Sequence, residues 1–226
     1  MALTLYIHPL ASFCHKVLIA LYENAIPFRS EIIDFGDPAS AAALLERWPV
    51  GKIPILHDDT AGRTVPETSI IIEYLQQNYP GPAPLLPHDP ETLLQTRLWD
   101  RFFDLYVSTP MQKIVTDRIR PEGRNDPHGV ADAHSSLDTA YVMIERQVSG
   151  NRWAIGEAFT MADCSAASAL FFASVVHPLK ADQTGLQSYL DRLLARPSVK
   201  RTMREAQPFF EMFPYRDAMP ERYVAL

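Results

Sequence analysis

A proline-rich break near residue 80 limits the folds open to this chain more than any other stretch. Pro80-Gly81-Pro82-Ala83-Pro84 is followed almost at once by Pro87-His88-Asp89-Pro90. Proline fixes φ and removes a backbone donor, so this segment reads as a linker between separately built units. The expected division is residues 1–80, a linker at 81–90, and residues 91–226.

The first unit mixes strands and helices. Leu3-Thr4-Leu5-Tyr6-Ile7-His8 alternates and is rich in β-formers, which predicts a strand ended by Pro9. Val17, Leu18, Leu21 and Tyr22 carry helical spacing over residues 12–23. Further strands are predicted at 28–34, 53–56 and 63–65, and further helices at 40–47 and 69–79. The order is β-α-β-α-β-β-α. After Glu91 the sequence predicts helices only, at 92 to about 116, 130–148, 162–176, 185–195 and 199–206. Residues 120–129 read as an exposed loop, and the aromatic tail from Pro208 onward as irregular.

Composition narrows the class of partner. The 226 residues are 47% hydrophobic, enough for a substantial core, and the net charge is −6. No lysine–arginine block is present, which argues against nucleic acid or an anionic membrane as partner. The amino terminus shows neither a signal peptide nor a membrane span. Two cysteines, Cys14 and Cys164, are too few for a disulfide framework and suit a reducing cytoplasm.

Three segments of the first unit carry chemistry. In Gly51-Lys52-Ile53-Pro54-Ile55-Leu56 a proline stands at the entrance of an apolar strand, where it lacks a ladder donor. Either this is an ordinary edge strand with a trans proline, or a cis Ile53–Pro54 bond turns the Ile53 backbone outward to pair with an extended peptide. In Pro66-Glu67-Thr68-Ser69, a hydroxyl of Thr68 or Ser69 fits a helix cap beside free amides. Such a place is also an anion site, and a plain cap with a solvated Glu67 is the alternative. In His8-Pro9-Leu10-Ala11-Ser12-Phe13-Cys14-His15-Lys16, a strand-to-helix turn gathers amide groups that favour an anion. Ser12 reads either as the helix cap or as a hydroxyl donor to that anion. Cys14 reads as a small buried hydrophobe. His8 and His15 lack a third ligand, so no metal site is expected. In the second unit, Thr160-Met161-Ala162-Asp163 is a capping box with Phe159 placed for a hydrophobic staple.

Taken in order, the Gly51-Lys52-Ile53-Pro54 loop, the Glu67-Thr68 pair a hairpin length later, the linker, and the Gly156–Asp163 capping segment resemble glutathione transferases over the whole chain. The resemblance implies an α/β thioredoxin-like N-terminal domain that binds glutathione, followed by an all-α C-terminal domain. It implies that the Ile53 backbone, beside Pro54, holds the cysteinyl part of glutathione. Lys52 would then lie near the glycine carboxylate, and Glu67 and Thr68 would bind the γ-glutamyl ammonium and carboxylate. Glutathione is the implied cosubstrate, and a small apolar electrophile its acceptor, held between the domains by Leu10, Phe102 and Tyr106. A cytoplasmic homodimer with a detoxifying role completes the implied picture. The chain departs from the family at Ala11, which stands where many classes carry a catalytic serine or cysteine. Ser12 is the adjacent hydroxyl and the candidate catalytic residue; otherwise backbone amides alone activate the thiol. Ala11 also keeps open a non-catalytic glutathione-binding or assembly protein, and a related isomerase, dehalogenase or thiol transferase.

Overall fold

A computed structural model describes residues 2–225. Strands β1 (Leu3–Ile7), β2 (Arg29–Ile32), β3 (Ile55–Asp58) and β4 (Arg63–Pro66) form one sheet in the order β2-β1-β3-β4. β1 runs parallel to β2 and antiparallel to β3, and β3 and β4 make an antiparallel hairpin. The parallel pair requires a crossover, which is α1 (Ser12–Glu23). Alternation along β1 splits its side chains between two layers. Leu3, Leu5 and Ile7 pack with Val17, Leu18 and Leu21 of α1 and with Ile71 and Leu75 of α3 (Thr68–Asn78). Tyr6 faces the other way, onto Leu44 of α2 (Pro38–Arg47). The sheet is thus covered on both faces, in a thioredoxin-like α/β arrangement. β3 begins at Ile55, two residues later than the pattern predicts, just past a cis Ile53–Pro54 peptide.

Past Pro66 the described residues form no further strand. The helices are α4 (Pro90–Phe102), α5 (Thr109–Arg118), α6 (Pro127–Val148), α7 (Met161–Val176), α8 (Thr184–Ala195), α9 (Pro197–Ala206) and a last short α10 (Glu221–Val224). The single helix expected from 92 to about 116 is two, because a π-helical stretch at Phe103–Ser108 separates α4 from α5. The tail expected to be irregular winds into 3-10 turns at Gln207–Met212 and Arg216–Ala218 before α10. Its aromatic residues are what order it: Phe210, Phe213 and Tyr223 are buried in the helical core, against Phe171 and Phe172.

α7 is the axis of the helical domain, and all its residues are buried. Its start is fixed by the capping box. The Thr160 amide donates to Asp163 Oδ2 at 2.8 Å, and the other carboxylate oxygen accepts from the Ala154 amide at 2.8 Å and the Tyr189 hydroxyl at 2.6 Å. Phe159 is buried, with the Arg196 guanidinium 3.8 Å over its ring. The two domains meet where α1 lies along α7 and α9. Arg196 holds Glu23 there through two hydrogen bonds, at 2.6 and 2.7 Å, and Ser198 donates to the same carboxylate. No helix among the described residues is long and apolar enough to cross a membrane.

Candidate functional site

Two clefts among the described residues are candidates for a site. One, of about 320 Å³, runs under the linker and is lined mainly by aliphatic side chains, prolines and Tyr79. The other, of about 280 Å³, opens where three loops of the sheet domain converge on α4 and α5. Only the second gathers charged groups of both signs with backbone set up to bind, so it is the candidate site.

Its first wall comes from the sheet domain. Lys52, Ile53, Pro54, Glu67 and Thr68 all line it, joined by Phe13 and Trp48. The loop that presents Lys52 turns at Gly51, whose φ of +68° suits glycine. Glu67 also has a positive φ, +68°, and is the N-cap residue of α3 without a side-chain cap of its own. A non-glycine residue there costs on the order of 1–3 kcal/mol, and such strain gathers at functional positions. The carbonyl of Glu67 accepts the Ile71 amide at 2.8 Å, which anchors the strained residue to the helix. Neither Lys52 nor Glu67 makes an ion pair with another described residue.

Ser12 is placed differently from both of its sequence readings. The N-cap of α1 is Ala11, in extended backbone and with no side-chain cap, so Ser12 is the first helical residue and not the cap. Its hydroxyl is buried without a hydrogen-bond partner among the described residues, and Phe13, not Ser12, lines the cavity. The turn explains the shift. The Ala11 amide donates to the His8 carbonyl at 2.9 Å, and the Ala11 carbonyl already accepts from Cys14 at 2.9 Å. Cys14 is fully buried, and burial pushes its thiol up to about 12, so it is no nucleophile. The capping expected of Thr68 or Ser69 is likewise absent: Ser69 donates to Asp100 at 2.5 Å instead.

The second wall comes from the helical domain: Arg101, Asp104, Leu105, Thr109 and Gln112. None of the three residues expected to form the substrate pocket is on it. Phe102 is buried in the core beside Trp99 and Phe103, Tyr106 is exposed outside the cavity, and Leu10 packs against the helical core. The helix period does connect Arg101, Leu105, Thr109 and Gln112. That spacing was available in the sequence, but the aromatic residues one position on drew the assignment.

Behind both walls sits a buried charge cluster. Lys16 of α1 has no exposed side-chain surface, and its ammonium lies 2.7 Å from Asp100, 2.9 Å from Asp104 and 3.0 Å from the Ser69 hydroxyl. Ser165 of α7 closes on Asp100 at 2.5 Å. Burial raises the Asp104 carboxyl above its ordinary value, and Lys16 opposes that rise. The cluster locks the starts of α1 and α3 onto α4, and so fixes the distance between the walls. No group of three or more potential metal ligands occurs among the described residues.

The sequence matches the family description "Glutathione S-transferase, N-terminal domain" over residues 5–83 and "Glutathione S-transferase, C-terminal domain" over residues 127–195, together more than half of the chain. The chain belongs to the glutathione S-transferase family. A glutathione S-transferase-like protein of Fusarium is 32% identical over 127 residues, a match that spans 56% of this chain and 57% of that relative. A stringent starvation protein A homologue of Histophilus somni is 26% identical over 91% of this chain and 92% of its own length. Among solved structures, a glutathione S-transferase of Methylobacterium radiotolerans in complex with glutathione sulfonate superposes with a TM-score of 0.76 at 28% identity, over 88% of this chain and 93% of that one. The first wall of the cavity falls inside the matched N-terminal range. The second wall, residues 101–112, lies outside both matched ranges.

Proposed function

We propose that the protein is a cytoplasmic glutathione transferase that joins the glutathione sulfur to an electrophilic carbon, in a detoxifying role. The observation that carries this reading is the convergence of Lys52, Ile53, Pro54, Glu67 and Thr68 on one cleft that also meets the start of α1. Glu67 is the partner for the γ-glutamyl ammonium, the amino end of α3 at Thr68 for its carboxylate, and Lys52 for the glycine carboxylate. The Ile53 backbone, beside Pro54, pairs with the cysteinyl residue as an added strand does. Activation of the thiol rests on the first-turn amides of α1. With alanine as cap, no side chain competes for them. Partial positive charge at a helix start favours thiolate over thiol, and thiolate is the nucleophile.

Glu67→Ala should weaken glutathione binding by roughly 1.5–3 kcal/mol, the range for a hydrogen bond to a charged group. Calorimetry on the folded variant checks this, and an unchanged dissociation constant removes Glu67 from the site. A second reading, a glutathione-binding or assembly protein without turnover, is favoured by Ala11 and by the buried Ser12 hydroxyl. Retention on immobilised glutathione, without a thiolate absorbance band and without conjugation of a chloronitrobenzene, would select it.

The homodimer is also a proposal. Ile70 on α3 and Leu94 and Leu98 on α4 are each more than half exposed. They flank the Arg97–Glu73 pair (2.9 Å) that bridges the two helices, so they share one face. A two-fold contact would bury such a face against its own copy. Light scattering at micromolar concentration should give twice the chain mass of 25.5 kDa. The double variant Leu94→Glu, Leu98→Glu should give the single mass; a wild-type monomer would end the idea.

A further inference from the structure

The wall facing the glutathione groups is polar where an aromatic one was expected, and its cation, Arg101, has donors to spare. Arg101 is half exposed at the cavity. Its Nη1 lies 3.2 Å from Asp104 Oδ2, while Nη2 and Nε meet no described residue. Four positions further along the same helical stripe, Leu105 is the aliphatic residue that the described residues place on this wall. Thr109 spends its hydroxyl on the Asp104 carbonyl at 3.0 Å. The side-chain amide of Gln112 makes no hydrogen bond with a described residue.

The three ionic groups of glutathione are matched on the first wall, by Glu67, the start of α3 and Lys52. Arg101 is the cation left on the opposite wall, with Gln112 as a second donor on its stripe. A guanidinium presents its N–H groups as a planar fork that fits a carboxylate in two parallel hydrogen bonds. We propose that Arg101 sets specificity for the second substrate, and that this electrophile is a small molecule carrying a carboxylate beside its reactive carbon. This rests on the transferase reading above. It goes beyond it by naming the acceptor's charged group and the residue that selects it. The acceptor's short apolar part lies on Leu105 and Phe13. In the reaction the glutathione thiolate forms a C–S bond as the bond from carbon to the leaving group breaks. The leaving group departs with the bonding pair, and the thiol proton goes to solvent before attack.

Iodoacetate and iodoacetamide test this, because they are close in shape and differ by one charge. For each, kcat/KM is divided by the uncatalysed rate constant with glutathione. The iodoacetate-to-iodoacetamide ratio should fall about 10- to 100-fold in Arg101→Met, the worth of a charge-assisted hydrogen bond, and fall less in Arg101→Lys. A second measurement does not need turnover. Calorimetry should show that the wild type binds S-carboxymethylglutathione at least about tenfold more tightly than S-carbamoylmethylglutathione, and that Arg101→Met loses the preference. Equal affinity for the two conjugates overturns the role of Arg101 while leaving glutathione recognition intact. A weakened glutathione dissociation constant with the preference retained also overturns it, since Arg101 would then hold glutathione itself. If neither glutathione nor either conjugate binds, the reading of the first wall falls and takes this inference with it. If glutathione binds and neither reagent turns over, only the transferase step falls, and the conjugate preference still decides Arg101.

Discussion

Lys16→Met is expected to destabilise the folded protein by about 3–5 kcal/mol, the loss seen when one partner is removed from a buried ion pair. The ammonium of Lys16 has three N–H donors and three acceptors around it: Asp100 at 2.7 Å, Asp104 at 2.9 Å and Ser69 at 3.0 Å. Both carboxylates are almost wholly buried. Methionine fills much of the same volume but leaves two carboxylates facing each other, with only the half-exposed Arg101 still on Asp104. One of them must take up a proton or the domains must part there. Chemical denaturation of wild type and variant at neutral pH measures the loss, and a difference under about 1 kcal/mol would refute the account. Asp104→Asn on the Lys16→Met background should recover part of it, because one charge then no longer lacks a partner. The same variant should bind glutathione more weakly, since Ser69 and the start of α3 are tied to α4 through this cluster.

Much of the fold was legible because its signals are local. β1 alternates, α1 repeats at helical spacing, and Thr160 to Asp163 carry a complete cap within four residues. The first wall was legible for the same reason, since Lys52, Ile53 and Pro54 form one loop and Glu67 and Thr68 one helix start. What sequence reasoning missed depends on distant contacts or on backbone detail. Lys16 looks like any lysine on a helix, because the carboxylate that buries it, Asp104, lies 88 residues away. Ser12 reads as a cap by residue preference, since serine leads at that position. The turn from His8 to Ala11 overrides that preference by starting the helix one residue earlier, with Ala11 as the cap. Phe102 and Tyr106 read as pocket residues because they are large and apolar. The helix that carries them turns them away and presents Arg101 and Leu105, and the π-helical stretch after Phe102 is a feature that no residue preference announces.

Stability should also fall steeply in mild acid, and His15 is the reason. The ring is fully buried and packed 5.3 Å from Phe172, with Nε2 2.6 Å from the Pro9 carbonyl. A carbonyl only accepts, so Nε2 carries the proton and Nδ1 the lone pair; Nδ1 has no partner among the described residues. Burial drives the imidazole down to about 4 from its ordinary 6.5, and the Pro9 carbonyl and the Glu205 carboxylate, which favour the cation, are outweighed. Above pH 6.5 both folded and unfolded chains hold the ring neutral, and the full stability is present. Between 6.5 and 4 only the unfolded chain takes up the proton, so stability drops as pH drops, by about 1.4 kcal/mol per unit and about 3 kcal/mol in all. Below 4 both states are protonated and this contribution levels off. Urea unfolding at a series of pH values, compared between wild type and His15→Gln, isolates the effect from the other titrating groups. The variant starts lower at pH 7 for want of the ring's packing, yet its stability should decline less steeply between pH 6.5 and 4, by up to one proton's worth. Parallel curves for the two proteins would mean that His15 is protonated in the folded state as readily as in the unfolded chain, and that water or a shifted ring reaches Nδ1.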